Sequence, residues 1–184
     1  WDLMAQEKPG FDLVVINPFL VIGPAHTKAI NTSNQTFVDI INGQYPAVMA
    51  LEWGFVDVRD VADAHIAAMD AKVSSGRYIA ASANLDMAAA VDLMRQEGFG
   101  AAKLPKVKLT GWLGTAFMKL ASRTQPAGIG SYLRTHLGRV PHFDNSKIRK
   151  AMGITFRTPE DSIKDTLSDL ARWGHIPAPE AAGE

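Results

Sequence analysis

The sequence predicts an α/β fold, in which the last part of a parallel sheet is followed by a mostly helical region. Strand-like and helix-like segments alternate from residue 13 to residue 97, as they do where helices connect parallel strands. The run from Leu13 to Ile16 is apolar and rich in β-branched residues, which is typical of a parallel strand covered on both faces. We therefore expect an α/β layer at 1–98, a helical substrate-side region at 99–176 and a disordered tail at 177–184.

Composition limits the classes of function. The chain has 184 residues, enough for one domain, and its 19 Lys and Arg balance 19 Asp and Glu. This balance gives no sign of a nucleic acid or an anionic membrane as partner. The absence of cysteine excludes disulfides and thiolate ligands and fits a cytoplasmic protein. No apolar run approaches the roughly 20 residues of a membrane helix.

The first strand leads into a segment that we expect to be a loop. Pro18 lacks a backbone donor, so the strand is expected to end there. Gly23 and Pro24 then turn the chain. Ligands of open α/β sheets bind outside the carboxyl ends of strands, so this loop is the first place to look for a site.

The next elements complete the predicted α/β layer. Ser33 is the expected N-cap of a helix that Gly43 ends. A short strand at 55–58 follows, and Asp60 is expected to cap the next helix, with His65 on its apolar face as a core residue. A strand at 77–81 and a helix at 86–97 end the layer.

The region after Gly98 is predicted to be mainly helical. The predicted helices cover 112–122, 129–137, 145–152 and 158–174, and 107–109 is compatible with a strand. The last helix begins with Thr158-Pro-Glu-Asp161, a combination typical of an N-terminus, and its apolar stripe is Ile163, Leu167 and Leu170.

One side of the first of these helices is unusually apolar. It carries Trp112, Leu113, Ala116, Phe117 and Leu120. This side either forms a second hydrophobic layer over a cleft or contributes to a substrate pocket or a dimer contact.

Common catalytic signatures are absent from this sequence. The five histidines stand far apart, so we expect no metal site. There is no G-x-S-x-G motif and no complete G-x-G-x-x-G motif. No tyrosine precedes a lysine by four residues. The pattern of the chain thus indicates half of a site.

Four segments in order resemble a known family. They are Asn17-Pro-Phe-Leu-Val-Ile-Gly-Pro24, Phe55-Val-Asp-Val-Arg-Asp-Val-Ala-Asp-Ala-His65, Gly76-Arg-Tyr-Ile79, and Phe143-Asp-Asn-Ser-Lys147 with Met152-Gly-Ile154. Together they resemble the carboxyl-terminal part of an extended short-chain dehydrogenase/reductase of the NAD-dependent epimerase/dehydratase superfamily. The group that they resemble most contains the dihydroflavonol 4-reductases, cinnamoyl-CoA reductases and aldehyde reductases.

The resemblance implies a Rossmann-like enzyme that reduces a ketone or aldehyde with NADP(H), with NAD(H) as the alternative. The Tyr-x-x-x-Lys pair and Gly-rich loop of such enzymes are expected upstream of Trp1, and residues 1–8 are typical of the end of a helix. We therefore expect no catalytic residue in this chain and no turnover by the chain alone. The alternative is a non-catalytic relative that binds a dinucleotide or a partner.

The resemblance also implies which residues contact the cofactor. Pro18 and the backbone of Phe19, Leu20 and Val21 match the stretch that touches the nicotinamide carboxamide. Ser33 matches a residue near the cofactor phosphates, and the amino end of a helix favours an anion. A plain N-cap role for Ser33 is an equal alternative.

The resemblance also implies which residues lie on the substrate side. Thr32, Glu52 and Trp53 match positions that line the substrate pocket, and the segment 109–139 would set specificity. The expected partners are a small carbonyl substrate and the upstream Rossmann half. A sheet cut beside Leu13 to Ile16 would leave an open edge, so a homo-oligomer is also expected.

Overall fold

The computed structural model describes residues 1–70, 72–124 and 127–180 as a series of short strands and helices. In chain order these are α1 (Asp2–Glu7), β1 (Val14–Pro18), β2 (Leu20–Ile22), α2 (Thr32–Ile41), β3 (Val48–Met49), β4 (Glu52–Asp57), α3 (Val58–Ala67), β5 (Gly76–Ala80), β6 (Ala83–Asp86), α4 (Met87–Met94), β7 (Lys108–Leu109), α5 (Trp112–Ala121), α6 (Ala127–His136), α7 (Ser146–Met152) and α8 (Pro159–Arg172). A π-helical turn follows α4, and a 3₁₀ turn follows α5.

The strands form three small sheets with mainly parallel pairing. β1 pairs with β5, β2 with β4, and β3 with β7, all parallel. This confirms the predicted α/β class. β6 pairs antiparallel with β4 and was not predicted, because its sequence Ala-Asn-Leu-Asp contains no β-branched residue.

The segment after the first strand differs from the prediction. β1 includes Pro18, and Leu20–Ile22 is a second strand rather than a loop, because it finds a partner in β4. Pro18 is tolerated as the last residue of β1, where the next amide, that of Phe19, donates to Ala80 O (3.1 Å). β1 is also less covered than predicted, since its first three residues are half-buried and its last two exposed.

Two helix starts were assigned to the wrong residue. Asn31, not Ser33, is the N-cap of α2, and its Oδ1 accepts from the amide of Asn34 (2.7 Å). Asp57, not Asp60, is the N-cap of α3. Both predicted caps lie inside the first turn, where short polar residues are also common, so sequence alone does not separate the two positions.

His65 is exposed and was wrongly predicted to be a core residue. Its Nδ1 lies 2.7 Å from Val61 O. The buried stripe of α3 consists of Asp60 and Ala64 only. His65 follows Ala64 by about 100° around the helix, which turns it away from the sheet.

The main core lies between the β2–β4–β6 sheet, α2, α4 and α8. α8 begins as predicted, with Thr158 Oγ1 accepting from the amide of Asp161 (3.1 Å). The predicted stripe of Ile163, Leu167 and Leu170 is 0%, 1% and 3% exposed, so α8 is fixed against this core.

The end of the chain is only partly described. The amide of Glu180 donates to Gly98 O (2.8 Å), and the rest of the predicted disordered tail, 181–184, lies outside the described residues. Among the described residues, no helix is long and apolar enough to cross a membrane.

Leu167→Ala tests the role of α8 in the core. Removing this buried side chain should lower the free energy of unfolding by about 2–5 kcal/mol, because it leaves a cavity between α8 and the sheet. Denaturant unfolding measures the change. Leu120→Ala, at a side chain 61% exposed, is the control and should cost less than about 0.5 kcal/mol. Equal costs for the two variants would contradict this packing.

Candidate functional site

The first feature of the site is the point where the chain changes strand partner. β1 pairs with β5 up to Pro18, and from Leu20 the chain pairs with β4. The ring of Phe19 lies between, 5.0 Å from the ring of Phe143. A Cβ at Gly54 would lie 2.4 Å from Phe19 Cδ1, so only glycine leaves room for this ring. The predicted cofactor segment is therefore held in one position by its neighbours.

The loop after β2 is fixed by two side chains of α8. The amide of Gly23 donates to Thr166 Oγ1, and the amide of Ala25 donates to Asp169 Oδ2, both at 2.8 Å. Asn34 Nδ2 donates to Gly23 O (3.2 Å). Thr166 is fully buried, so the hydrogen bond to Gly23 is shielded from water. The α8 helix thus determines the path of the chain beyond the strand ends.

Asn31 connects β2 with the first turn of α2. Its Nδ2 donates to Val21 O (3.1 Å), and the same side chain caps the helix. Thr32 is exposed and Ser33 half-buried in that turn. The structure thereby brings the predicted residues Val21 and Ser33 into one region. Asn31 was missed in the sequence, although an Asn before a helical segment is a recognised capping signal.

The acidic and basic residues around the start of α3 are mainly structural. Asp57 is fully buried, and Arg59 donates to it through Nε (2.8 Å) and Nη2 (2.7 Å). Arg59 also bonds Asp165 on α8 (2.7 Å). Arg157 pairs with the buried Asp60 and donates its amide to Asp60 Oδ2 (2.7 Å). Asp57 caps α3 in place of the predicted Asp60, and the carboxylates of both residues are buried.

The environment of Asp57 shifts its pKa downward. Burial by itself raises the pKa of this carboxyl, but hydrogen bonds from the side chain and backbone of Arg59 outweigh burial and lower it. The same pairing raises the pKa of Arg59. Both groups therefore stay charged at neutral pH.

A cavity of about 410 Å³ lies beyond the other end of α2. Its lining residues come from the end of α2, the turn before β3, β3 itself, and the facing sides of α5 and α6. They are Asp39, Gln44, Tyr45, Pro46, Met49, Met118, Ala121, Ser122, Tyr132 and Leu133. The sequence pattern gave no sign of this cavity.

Of the two predicted substrate residues on β4, Trp53 contacts the wall of this cavity. Trp53 is only 6% exposed, and its Nε1 donates to the hydroxyl of Tyr132 (3.0 Å). Glu52 is half-buried and stands opposite Asp86 in the β4–β6 pair. Both residues belong to a strand that is longer than predicted. Their contact with a substrate stays a prediction.

The apolar side of α5 faces outward in the described structure. Its four large side chains are 61–79% exposed and are Trp112, Leu113, Phe117 and Leu120. The opposite side of α5 supplies Met118 and Ala121 to the cavity. The helix therefore does cover a pocket, but with the side that the sequence pattern did not select.

Comparison with known proteins identifies the relatives of this chain, although no family model matches it. Ketoreductase azaE of Aspergillus niger is 31% identical over 179 residues, covering 92% of this chain and 46% of the relative. Cinnamoyl-CoA reductase 1 of Arabidopsis thaliana is 32% identical over 173 residues, covering 94% of this chain and 43% of the relative. The crystal structure of yeast methylglyoxal/isovaleraldehyde reductase Gre2 complexed with NADPH is 25% identical, with a TM-score of 0.66 over 96% of this chain and 48% of that one.

The chain is homologous to the carboxyl-terminal part of these reductases. It spans about half the length of the curated relatives that it matches. The predicted resemblance to extended short-chain dehydrogenases/reductases and the predicted Rossmann-like fold class are both confirmed.

Thr166→Val tests the anchor between α8 and the loop. The substitution keeps the shape but leaves the buried Gly23 amide without its acceptor, so unfolding should become easier by about 1–3 kcal/mol. Denaturant unfolding gives the energy, and hydrogen exchange at the Gly23 amide reports the loop. Thr166→Ser retains the hydroxyl and should behave much closer to the wild type. If Val and Ser variants match, the hydroxyl does not hold the loop.

The lowered pKa of Asp57 predicts a pH dependence of stability. Its pKa is lower in the folded state, so its contribution is complete above the unfolded pKa of about 3.9 and is lost as pH falls through the folded value. Asp57→Asn should therefore be less stable than wild type at neutral pH, and the difference should shrink below about pH 4. Urea midpoints across pH measure this. Asp63→Asn, at an exposed position, is the control. A difference that is constant with pH would contradict the assignment.

Proposed function

We propose that this chain forms the substrate-side half of an NADP(H)-dependent reductase of ketones or aldehydes. The observation that carries the proposal is the similarity to carbonyl reductases along more than nine-tenths of the chain. One of these similar proteins is a reductase crystallised with NADPH. The names of these relatives indicate a ketone, a small aldehyde or a coenzyme A thioester as their substrate. We propose a ketone or aldehyde for this protein. NAD(H) is the alternative cofactor.

The change of strand partner supports a cofactor wall at Pro18, Phe19, Leu20 and Val21. Within the described part of the chain, β1 and β2 are edge strands, each paired along one side only. On the other side, the backbone groups between Phe19 and Val21 that do not already bond to Ala80 or Asn31 can bind a carboxamide. Such groups are suited to orient a nicotinamide ring because the packing of Phe19 on Gly54 fixes them in advance.

The first turn of α2 supports a phosphate-binding role for Ser33. Its hydroxyl lies at the amino end of a ten-residue helix, where the helix dipole favours an anion. Asn31, rather than Ser33, caps the helix, so the Ser33 hydroxyl is not needed for capping. This leaves Ser33 available to a cofactor phosphate.

On the substrate side, we propose that Thr32 lines the substrate pocket and that Trp53 acts through Tyr132. Trp53 is too buried to offer its ring to a ligand, but its indole N–H holds the Tyr132 hydroxyl at the cavity wall. Glu52 continues the same strand. These residues do not transfer the proton in this proposal, because that role belongs to a Tyr-x-x-x-Lys pair and the sequence contains none. We propose that another segment of the parent polypeptide supplies that pair.

NADPH oxidation by the parent polypeptide tests the function directly. We expect the parent polypeptide to reduce members of a panel of aldehydes and ketones, and the 184-residue chain alone to reduce none. Turnover by this chain alone would overturn the division of roles. A parent that binds NADPH in calorimetry but reduces no carbonyl would instead support a non-catalytic dinucleotide-binding protein.

Gly54→Ala in the parent tests the cofactor wall. The added methyl group meets Phe19 and must displace it, so kcat/KM for carbonyl reduction should fall by roughly ten- to a hundredfold. Steady-state kinetics with varied NADPH measures this. Gly111→Ala is the matched control, since a Cβ there meets nothing within 4 Å. Unchanged kinetics in Gly54→Ala would remove Phe19 from the cofactor site.

A further inference from the structure

We propose that the cavity lined by Asp39, Tyr45 and Tyr132 binds the body of the substrate and that Asp39 restricts this substrate to uncharged molecules, preferably with a hydroxyl group. The inference deepens the proposed carbonyl reductase function and rests on it for the reaction.

The size and lining of the cavity suit a small organic molecule. Its volume of about 410 Å³ lies in the range of roughly 300–1,000 Å³ that is usual for ligand sites. Met49, Met118 and Leu133 are buried and supply an apolar wall, and thioether side chains adapt to varied shapes. Tyr45 and Tyr132 add aromatic surface. A compound with one or two rings would fill this space.

Among the described residues that line the cavity, Asp39 is the only one with a charged side chain. Its Oδ1 accepts a hydrogen bond from Gln35 Nε2 (2.8 Å). No described residue donates a hydrogen bond to its Oδ2. This oxygen can therefore accept from a ligand hydroxyl, and it would repel a ligand carboxylate or phosphate.

Tyr45 is half-buried and lies near the negative charge of Asp39. Burial, followed by the negative charge of Asp39, raises the pKa of the Tyr45 hydroxyl. The Tyr45 hydroxyl stays protonated and can donate to a neutral ligand.

Arg134, which follows the lining residue Leu133 in the chain, could attract an anion instead. Arg134 donates through Nη1 to the carbonyl of Ser122 (3.2 Å), but its side chain is exposed. Exposed charges are screened by solvent, so we expect Asp39 to decide the selectivity.

Equilibrium binding of three matched probes to the 184-residue chain tests the inference. The probes are 4-phenylbutan-2-one and its para-hydroxy and para-carboxy derivatives, and calorimetry measures their affinities. The wild type should bind the hydroxy probe most tightly and the carboxy probe at least about tenfold more weakly, equivalent to ~1.4 kcal/mol. Asp39→Asn should reduce this preference for hydroxy over carboxy by about tenfold. Asp63→Asn, an exposed carboxylate on α3, should leave it unchanged.

Methyl resonances of methionine locate the probes independently of any variant. The hydroxy probe should shift the signals of Met49 and Met118, which line the cavity, and leave that of Met69, 86% exposed on another surface, in place. Shifts elsewhere, or equal hydroxy and carboxy affinities in the wild type and in Asp39→Asn, would overturn the inference. If Arg134→Gln, rather than Asp39→Asn, changes the preference, the site selects anions and the inference is also wrong. Because binding needs no cofactor or turnover, these results are separate from a failure of the proposed reaction.

Discussion

The hydrogen bonds from the loop after β2 to α8 are the constraint on which the rest of the site depends. Gly23 and Ala25 donate their amides to Thr166 and Asp169, residues more than a hundred positions away in the chain. These bonds fix where the chain goes once it leaves the sheet. The position of Asn31, and through it the start of α2, follows from that path. A helix near the carboxyl end of the chain thus shapes the proposed cofactor edge.

The α2 helix relates the two parts of the site to each other. Ser33 lies in its first turn, beside the proposed cofactor edge, and Asp39 lies in its last turns, at the cavity. They are six positions apart in the sequence, which is about 9 Å along a helix axis. The helix is packed by Phe37, Ile40 and Ile41, each 2% exposed or less, so this spacing is rigid. One short helix therefore sets the distance between the proposed phosphate-binding end and the proposed substrate-selecting end.

Much of the fold could be predicted because local signals and burial agreed. The α8 helix had a capping sequence, a proline at its first position and a regular apolar stripe, and all three are present. The strand Leu20–Ile22 was not predicted, because its apolar run is short and lies between a proline and a glycine. Its partner strand, β4, lies more than thirty residues later in the chain. The capping residues of α2 and α3 were predicted at the wrong positions, because several short polar residues lie within one turn.

Residues of the proposed site were predicted from the sequence only where a motif resembles the known family. The segment from Pro18 to Val21 and the residue Ser33 came from a resemblance, and their cofactor contacts stay proposals. The cavity was invisible in the sequence, because its lining comes from segments far apart in the chain, and Asp39 and Tyr45 have no distinctive spacing. The outward side of α5 shows the same limit, since an apolar stripe indicates a face but not which partner covers it.

The most direct test of the central claim is a crystal structure of the parent polypeptide with NADPH. The account predicts that the nicotinamide carboxamide lies within hydrogen-bond distance of the backbone between Phe19 and Val21. It also predicts a cofactor phosphate near Ser33 at the amino end of α2. A cofactor that contacts neither segment would contradict the claim that this chain forms the far wall of the site.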